Sequence, residues 1–381
     1  MRLRLYLALV GPLTVCGGTT ASPPTTPPAV PMVLTASSEV TVVPATSANG
    51  SVQPAAPMAA APATAAARQI PLPGASGPVT LDYIAYDRSR ARVWIPVGDT
   101  GSADVFDVSS ATFTRVDGFK TEERESHGKK RMMGPSAASV GDGFVYVGNR
   151  ATSEVCAVDA NTLKLGHCLK LPTPTDGVAY VASVKEVWVT TPRNQTLTVL
   201  DASKPDTLKA KLVIKTPGDP EGFAVDEGRG LFYTNLEDKN RTLVIELKTH
   251  EIKATWTPGC GADGPRGVAV DVTRNLVFVA CTDSVQILDG GGDGAILGKF
   301  DTGTGVDNID YVDSTKLLYA AAGKAARLTV ARIDDKGRPS IVATIDTAEG
   351  ARNAVGDEHG NVYVADPKGG RLLILAAPST P

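Results

Sequence analysis

The stretch PEGFAVD, Pro220–Asp226, and its near copy PRGVAVD, Pro265–Asp271, decide how the rest of the chain is read. Each sets a Pro ahead of a short apolar run that ends on Asp, the pattern of a brief strand handed to a tight turn. Working outward, five more segments align with them: LDYIAYD from Leu81, PSAASVG from Pro135, TDGVAYV from Thr175, VDNIDYV from Val306 and ARNAVGD from Ala351. Their second residues, Asp82, Ser136, Asp176, Glu221, Arg266, Asp307 and Arg352, are 54, 40, 45, 45, 41 and 45 positions apart. Seven copies at such a period predict an all-β, seven-bladed propeller with one four-stranded blade per copy.

The interior of each copy agrees. A β-rich run follows the first segment every time: RVWIPV from Arg92, FVYVGN from Phe144, EVWVTT from Glu186, LFYTN from Leu231, LVFVACT from Leu276, LLYAAAG from Leu317 and NVYVAD from Asn361. Third strands such as EVCAVD from Glu154 and LTVLDA from Leu197, and a fourth such as KATWTPG from Lys253, complete the unit. Helical periodicity is nowhere sustained over three turns. The last copy has only three strands, ending in RLLILA from Arg371, while RQIPLPG from Arg68 has no blade of its own. The N-terminal segment is therefore expected to close the ring as the missing outer strand, which removes two open sheet edges.

Composition narrows the rest. Among 381 residues, 38 Lys+Arg against 41 Asp+Glu leave a net charge of -3, which disfavours a nucleic-acid-coating protein. The first 16 residues, MRLRLYLALVGPLTVC, carry two arginines and an apolar run broken by Pro12, too short to span a bilayer, and read as an export signal. LTVC, ending at Cys16, resembles the bacterial lipobox, so Cys16 is the expected lipidation site and membrane anchor. An ordinary signal cut near Ala21, with release into the periplasm or medium, is the alternative; both place the mature chain outside the cytoplasm, and the periplasm or cell envelope is the expected location. Residues 17–67 are mostly Pro, Ala, Thr, Ser and Val with Glu39 as the lone charge, and are expected to be a disordered tether. The propeller then occupies residues 68–378.

The sequences VYVGN (residues 145–149) and FYTN (residues 232–235) resemble the signature of YVTN-type β-propeller repeats. From Arg68 to Ala376 the chain is similar to the YncE-like proteins of that family. Other copies depart from the signature, with Cys281, Ala322 and Asp366 where its Asn would fall. The resemblance implies the fold and export and is nearly silent on function, with nucleic-acid binding proposed for some members. Single-stranded nucleic acid is opposed here by the net charge and by the lack of a stacking aromatic beyond Tyr83 at the expected site.

Five cysteines in an exported chain suggest pairing, with Cys16 left over. Cys156 and Cys168 flank a turn between adjacent strands. Cys260 precedes a first strand, and Cys281 ends the second strand of the same blade. Two bridges are expected, the alternative being buried free thiols. No close-set Cys or Cys/His pattern suggests a metal.

In a propeller the residues at the start of the first strands ring the mouth of the central channel. Asp82, Asp176, Glu221 and Asp307 with Arg266 and Arg352 would form either a salt-bridged plug or a polar ligand site. One step inward lie Tyr83, Ala137, Gly177, Gly222, Gly267, Asn308 and Asn353, whose glycines are expected to leave room for a ligand. Glu221, Asp307, Asn308 and Asn353 offer oxygen donors suited to Ca²⁺ or another divalent cation. That set is similar to the gluconolactonase-type site and would imply a metal-dependent hydrolase or lactonase. Streptogramin-lyase-type chemistry needs a channel-face histidine. His127 lies in the first insertion, His167 on an outer strand, and His250 and His359 at turns of the opposite face. No catalytic residue is assigned, and no GxSxG elbow or phosphate loop is present.

Two charged segments lie on the expected mouth face: FKTEERESHGKKRMMG (residues 119–134), read as an exposed, solvated loop with a lid or docking point as the alternative, and LEDKNRT (residues 236–242), read as a connecting loop, the alternative being that Asn235, Glu237, Asp238 and Lys239 extend the mouth toward a ligand. The reading from sequence is a monomeric, exported binding module. Its partner would be an envelope protein or a small polar ligand. The hydrolase is the first alternative and single-stranded nucleic-acid binding the second.

Overall fold

The computed structural model describes residues 67–126 and 128–376. The expectations about the signal, Cys16, the tether and His127 lie outside the described residues. Within them the chain forms seven four-stranded antiparallel sheets arranged as a propeller. Blade 4 is typical, with Pro220–Asp226 innermost, then Leu231–Leu236, Arg241–Glu246 and Ile252–Trp256 at the rim. Blade 7 closes the ring as expected: Asn353–Gly356, Asn361–Asp366 and Arg371–Ala376 are followed outward by Arg68–Pro71, in register from Arg68 opposite Ile374 to Pro71 opposite Arg371. Leu72 N, donating to Gly370 O at 2.9 Å, extends the seam.

The core lies between blades, and one sequence position builds much of it. The third residue of every second strand is aromatic: Trp94, Tyr146, Trp188, Tyr233, Phe278, Tyr319 and Tyr363, each no more than 1% exposed. A large flat side chain at the same register fills the wedge between neighbouring twisted sheets. The turn from first to second strand also repeats. It contains a left-handed residue in all seven blades, at Ala91, Gly143, Lys185, Gly230, Asn275, Lys316 and Gly360. Buried carboxylates at the ends of first strands fasten this turn, as where Asp271 accepts from Thr273 N and Arg274 N at 3.0 and 2.9 Å.

Both expected disulfides are present. Cys156–Cys168 ties the third and fourth strands of blade 2, and Cys260–Cys281 ties the entry of blade 5 to the end of its second strand. One expectation is corrected. Residues 119–134 hold a two-stranded hairpin, Glu122–Ser126 against Lys129–Met133, rather than an open loop. Charge, aliphatic stem and methionine sit opposite one another across the two strands, and Lys130 pairs with Glu123 at 2.8 Å. The alternation that reads as mixed-charge loop is also the period of an exposed strand pair.

Candidate functional site: the charged mouth of the channel

Seven first strands converge on the axis and carry the aligned ring to one end of the channel. Ser136, Glu221, Arg266 and Asp307 are second residues of their strands, while Asp82, Asp176 and Arg352 lie just ahead of shorter ones. Blade 1 starts late because its chain leans onto blade 2: Tyr83 bridges Ala137, and Ala138 N donates to Tyr83 O at 3.2 Å.

Arg150, which sequence reasoning missed, organises one half of this mouth. It follows the signature Asn149 into the loop after the second strand of blade 2. Its Nη2 reaches Asp82 Oδ2 at 2.6 Å and also pairs with Asp176. Arg352 holds the other half, 3.5 Å from Asp82 and 3.2 Å from Asp307. Burial would raise Asp82, but the guanidiniums of Arg150 and Arg352 keep its carboxyl below the ordinary range. Arg266 turns toward the loop and pairs with Glu237, with a further bond to Asp263 O at 3.3 Å.

Glu221 is left over. It has no hydrogen bond or ion pair, and burial together with Glu237, Asp307 and Asp82 pushes it up to about 8. Burial likewise lifts Asp307 to about 6, against the pull of Arg352. The Tyr83 phenol, buried among Glu221, Asp82 and Asp307, is raised well above its usual range. Several buried polar atoms here have no partner: Ser136 Oγ, Asp176 Oδ2 and both amide atoms of Asn353, on residues 2%, 6% and 1% exposed.

The glycines one step inward do not leave room. A Cβ on Gly222 would stand 2.2 Å from Arg266 O, and one on Gly177 would stand 2.3 Å from a Phe223 ring carbon. They let neighbouring first strands approach closely, so the space is taken by backbone and by Phe223. An open volume lies deeper, a cavity of about 380 Å³ lined by Tyr83, Phe223, Asn308 and mostly aliphatic residues, with Arg88, Asp310 and Tyr311 also in its wall. Tyr83 and Phe223 meet with ring centroids 5.6 Å apart. Asp310, also unforeseen, is two residues beyond Asn308 and accepts from Gly356 N at 2.8 Å.

The proposed cation donors are partly engaged. Asp307 is paired with Arg352, and Asn308 Oδ1 accepts its own chain's Ile309 N at 3.0 Å. Among the described residues no three His, Cys, Asp or Glu side chains are grouped to hold a metal ion. The loop after Leu236 divides in two. Glu237 joins the mouth through Arg266, whereas Asp238 accepts from Asp219 N at 2.7 Å and pairs with Lys239 at 3.0 Å. Asn235 is wholly buried, donating to Arg266 O and Gly267 O at 2.6 and 3.2 Å and accepting from Thr242 Oγ1 at 2.6 Å. The charged hairpin does reach this side, since Arg124 donates to Ala151 O at 2.7 Å, next to Arg150. His167 lies on a fourth strand, and His250 and His359 lie in turns away from the ring.

No family model and no curated protein matches the sequence. Solved structures do match in shape. The chain is similar to Kuenenia stuttgartiensis hydrazine synthase at 14% identity and a TM-score of 0.64, over 81% of this chain and 97% of that one. It is similar to the Myceliophteria thermophila Cps50 (Swd1) β-propeller domain at 10% identity and a TM-score of 0.64, over 81% and 98%. A chain of the mitotic checkpoint complex matches at 12% identity and a TM-score of 0.63, over 84% and 96%. At these identities the likeness establishes the propeller fold and nothing about activity.

Proposed function

We propose that this chain is a binding module of the cell envelope, related to the YVTN-type, YncE-like propellers, with the channel mouth as its ligand site. The observation that carries it is the set of buried, unpartnered polar atoms on Ser136, Asp176 and Asn353, at the same end of the channel as Glu221, which has no hydrogen bond or ion pair. Buried polar groups are normally satisfied, so a mouth built this way is suited to a polar ligand or to a polar side chain of a protein partner. Two disulfides support an oxidising compartment, in keeping with the export signal and lipobox read at the N-terminus. The buried roles of Asn149 and Asn235, which tie second strands to neighbouring backbone, support the repeat-family reading and explain why its signature is silent on function. The similar chain in the mitotic checkpoint complex works within a protein assembly, which supports a protein partner here.

The test is a thermal-shift survey of the full chain against small polar compounds and peptides, beside Glu221→Ala and Arg352→Ala. A compound or peptide that raises the melting temperature of the parent and not of the variants supports the mouth as the site. A survey in which nothing distinguishes parent from variants overturns it. Stoichiometric Ca²⁺ in the purified parent, lost in Glu221→Ala, would move the reading to the hydrolase.

A further inference from the structure

Resting on that reading, we propose that the mouth receives an organic cation, an alkylammonium or guanidinium group, seated against Glu221 above the Tyr83 and Phe223 rings.

The first support is a charge count by partner. Arg150 is taken by Asp82 and Asp176, Arg352 by Asp307 and Asp82, and Arg266 by Glu237. Five acids thus face three arginines, and Glu221 is the one with no counter-charge. An anion would meet surplus carboxylate, whereas a cation beside Glu221 supplies the ion-pair partner with which its carboxyl ionises.

The second support is independent of charge. Asp176 Oδ2 and Ser136 Oγ are buried, at the register that the ring acids share, and nothing donates to them. The carboxylate oxygen of Asp176 calls for a donor and the Ser136 hydroxyl can accept one, and ammonium and guanidinium groups are donors without acceptors. Tyr83 and Phe223 pack on each other in the wall of the cavity that opens below the mouth, and aromatic rings at such a site favour a positive group.

Binding is coupled to a proton. Glu221 is faced by Asp82 and Tyr83 of blade 1, Arg150 of blade 2, Glu237 of its own blade, Asp307 of blade 6 and Arg352 of blade 7, with Arg266 paired to Glu237, and its carboxyl is held up to about 8. At neutral pH the protonated carboxyl therefore exchanges its proton for the cation. One proton passes to buffer, and the charge at the mouth is unchanged.

The experiment is calorimetry on the full chain with choline and with N-acetyl-arginine amide, whose cations do not titrate, each in two buffers of different ionisation enthalpy. At about pH 6.5 the expected release approaches one proton per ligand and falls to none at about pH 9.5. Affinity should rise up to about tenfold per pH unit between those limits. Glu221→Gln, with its fold checked by circular dichroism, should abolish the proton release and weaken binding at high pH by about tenfold or more. The uncharged isostere of choline, 3,3-dimethylbutanol, should bind the parent at least about tenfold more weakly. An arginine-bearing peptide that binds where neither small cation does would identify a partner's basic side chain as the source. Cations that bind no better than the isostere, or a Glu221→Gln variant with unaltered affinity and proton count, overturn the inference. Neutral or anionic compounds bound at the mouth would sink the cation alone, whereas no ligand of any charge would sink the mouth site as well.

Discussion

Glu221 and Asn235 belong to the same blade and show how differently a polar residue can be held. Glu221 is raised to about 8 from an ordinary 4.5, so the folded ring binds its proton more tightly than the unfolded chain does. The stability linked to it is full below about pH 4.5 and is lost as pH rises toward about 8. Glu221→Gln removes that loss. Discounted for partial exposure, it should stabilise the fold by about 2 kcal/mol at about pH 9 and by nothing at about pH 4, as measured by urea unfolding. The same difference at both pH values would show that the carboxyl is not strained. Asn235 is the opposite case, with its amide fully used. Asn235→Ala strands two carbonyls and a hydroxyl in the interior and should cost about 3 kcal/mol in the same assay. Its signature position was legible in the sequence, but its role was not, because the acceptors lie on the next blade.

At the scale of the element, the turn between first and second strands depends on one left-handed residue, and evolution has not always supplied glycine. Lys185 sits there at φ 52°. Lys185→Gly relieves the steric cost of that conformation, is offset in part by unfolded-state entropy, and should raise stability by about 0.5 kcal/mol. Lys185→Val should lower it by more than that, since a branched Cβ fits the left-handed region poorly. Paired melting curves check both. The disulfides close loops of 12 and 21 residues and should each contribute about 3 kcal/mol. Reductant should lower the melting temperature, and the Cys156→Ser/Cys168→Ser double variant should reproduce part of that fall. Strands and bridges were readable from pattern and spacing. The hairpin at residues 122–133 was not, because alternating charge serves an exposed strand and a solvated loop equally well.

For the whole molecule, closure is the decisive contact. Arg68–Pro71 pairs with Arg371–Ala376, a seam between chain positions 300 or more residues apart. Removing residues 68–73 exposes the edge of blade 7 and strips away Leu72, which is 2% exposed. The melting temperature should fall by at least about 5 °C, and an unchanged value would mean that the ring closes without this strand.

The sequence by itself determined the architecture, since each blade is written locally: a repeat of about 45 residues, an aromatic third in every second strand, turn residues at fixed places and a spare strand for closure. Only the tertiary structure decided which charges meet. Arg150 and Asp82 are 68 positions apart and Arg352 and Asp82 are 270 apart, on blades brought together by the ring. Local patterning fixes what a strand is, whereas the partner of a charge at the axis depends on where seven strands converge. That is why Glu221 was visible as an acid of the mouth and became its one uncompensated acid only in the folded ring.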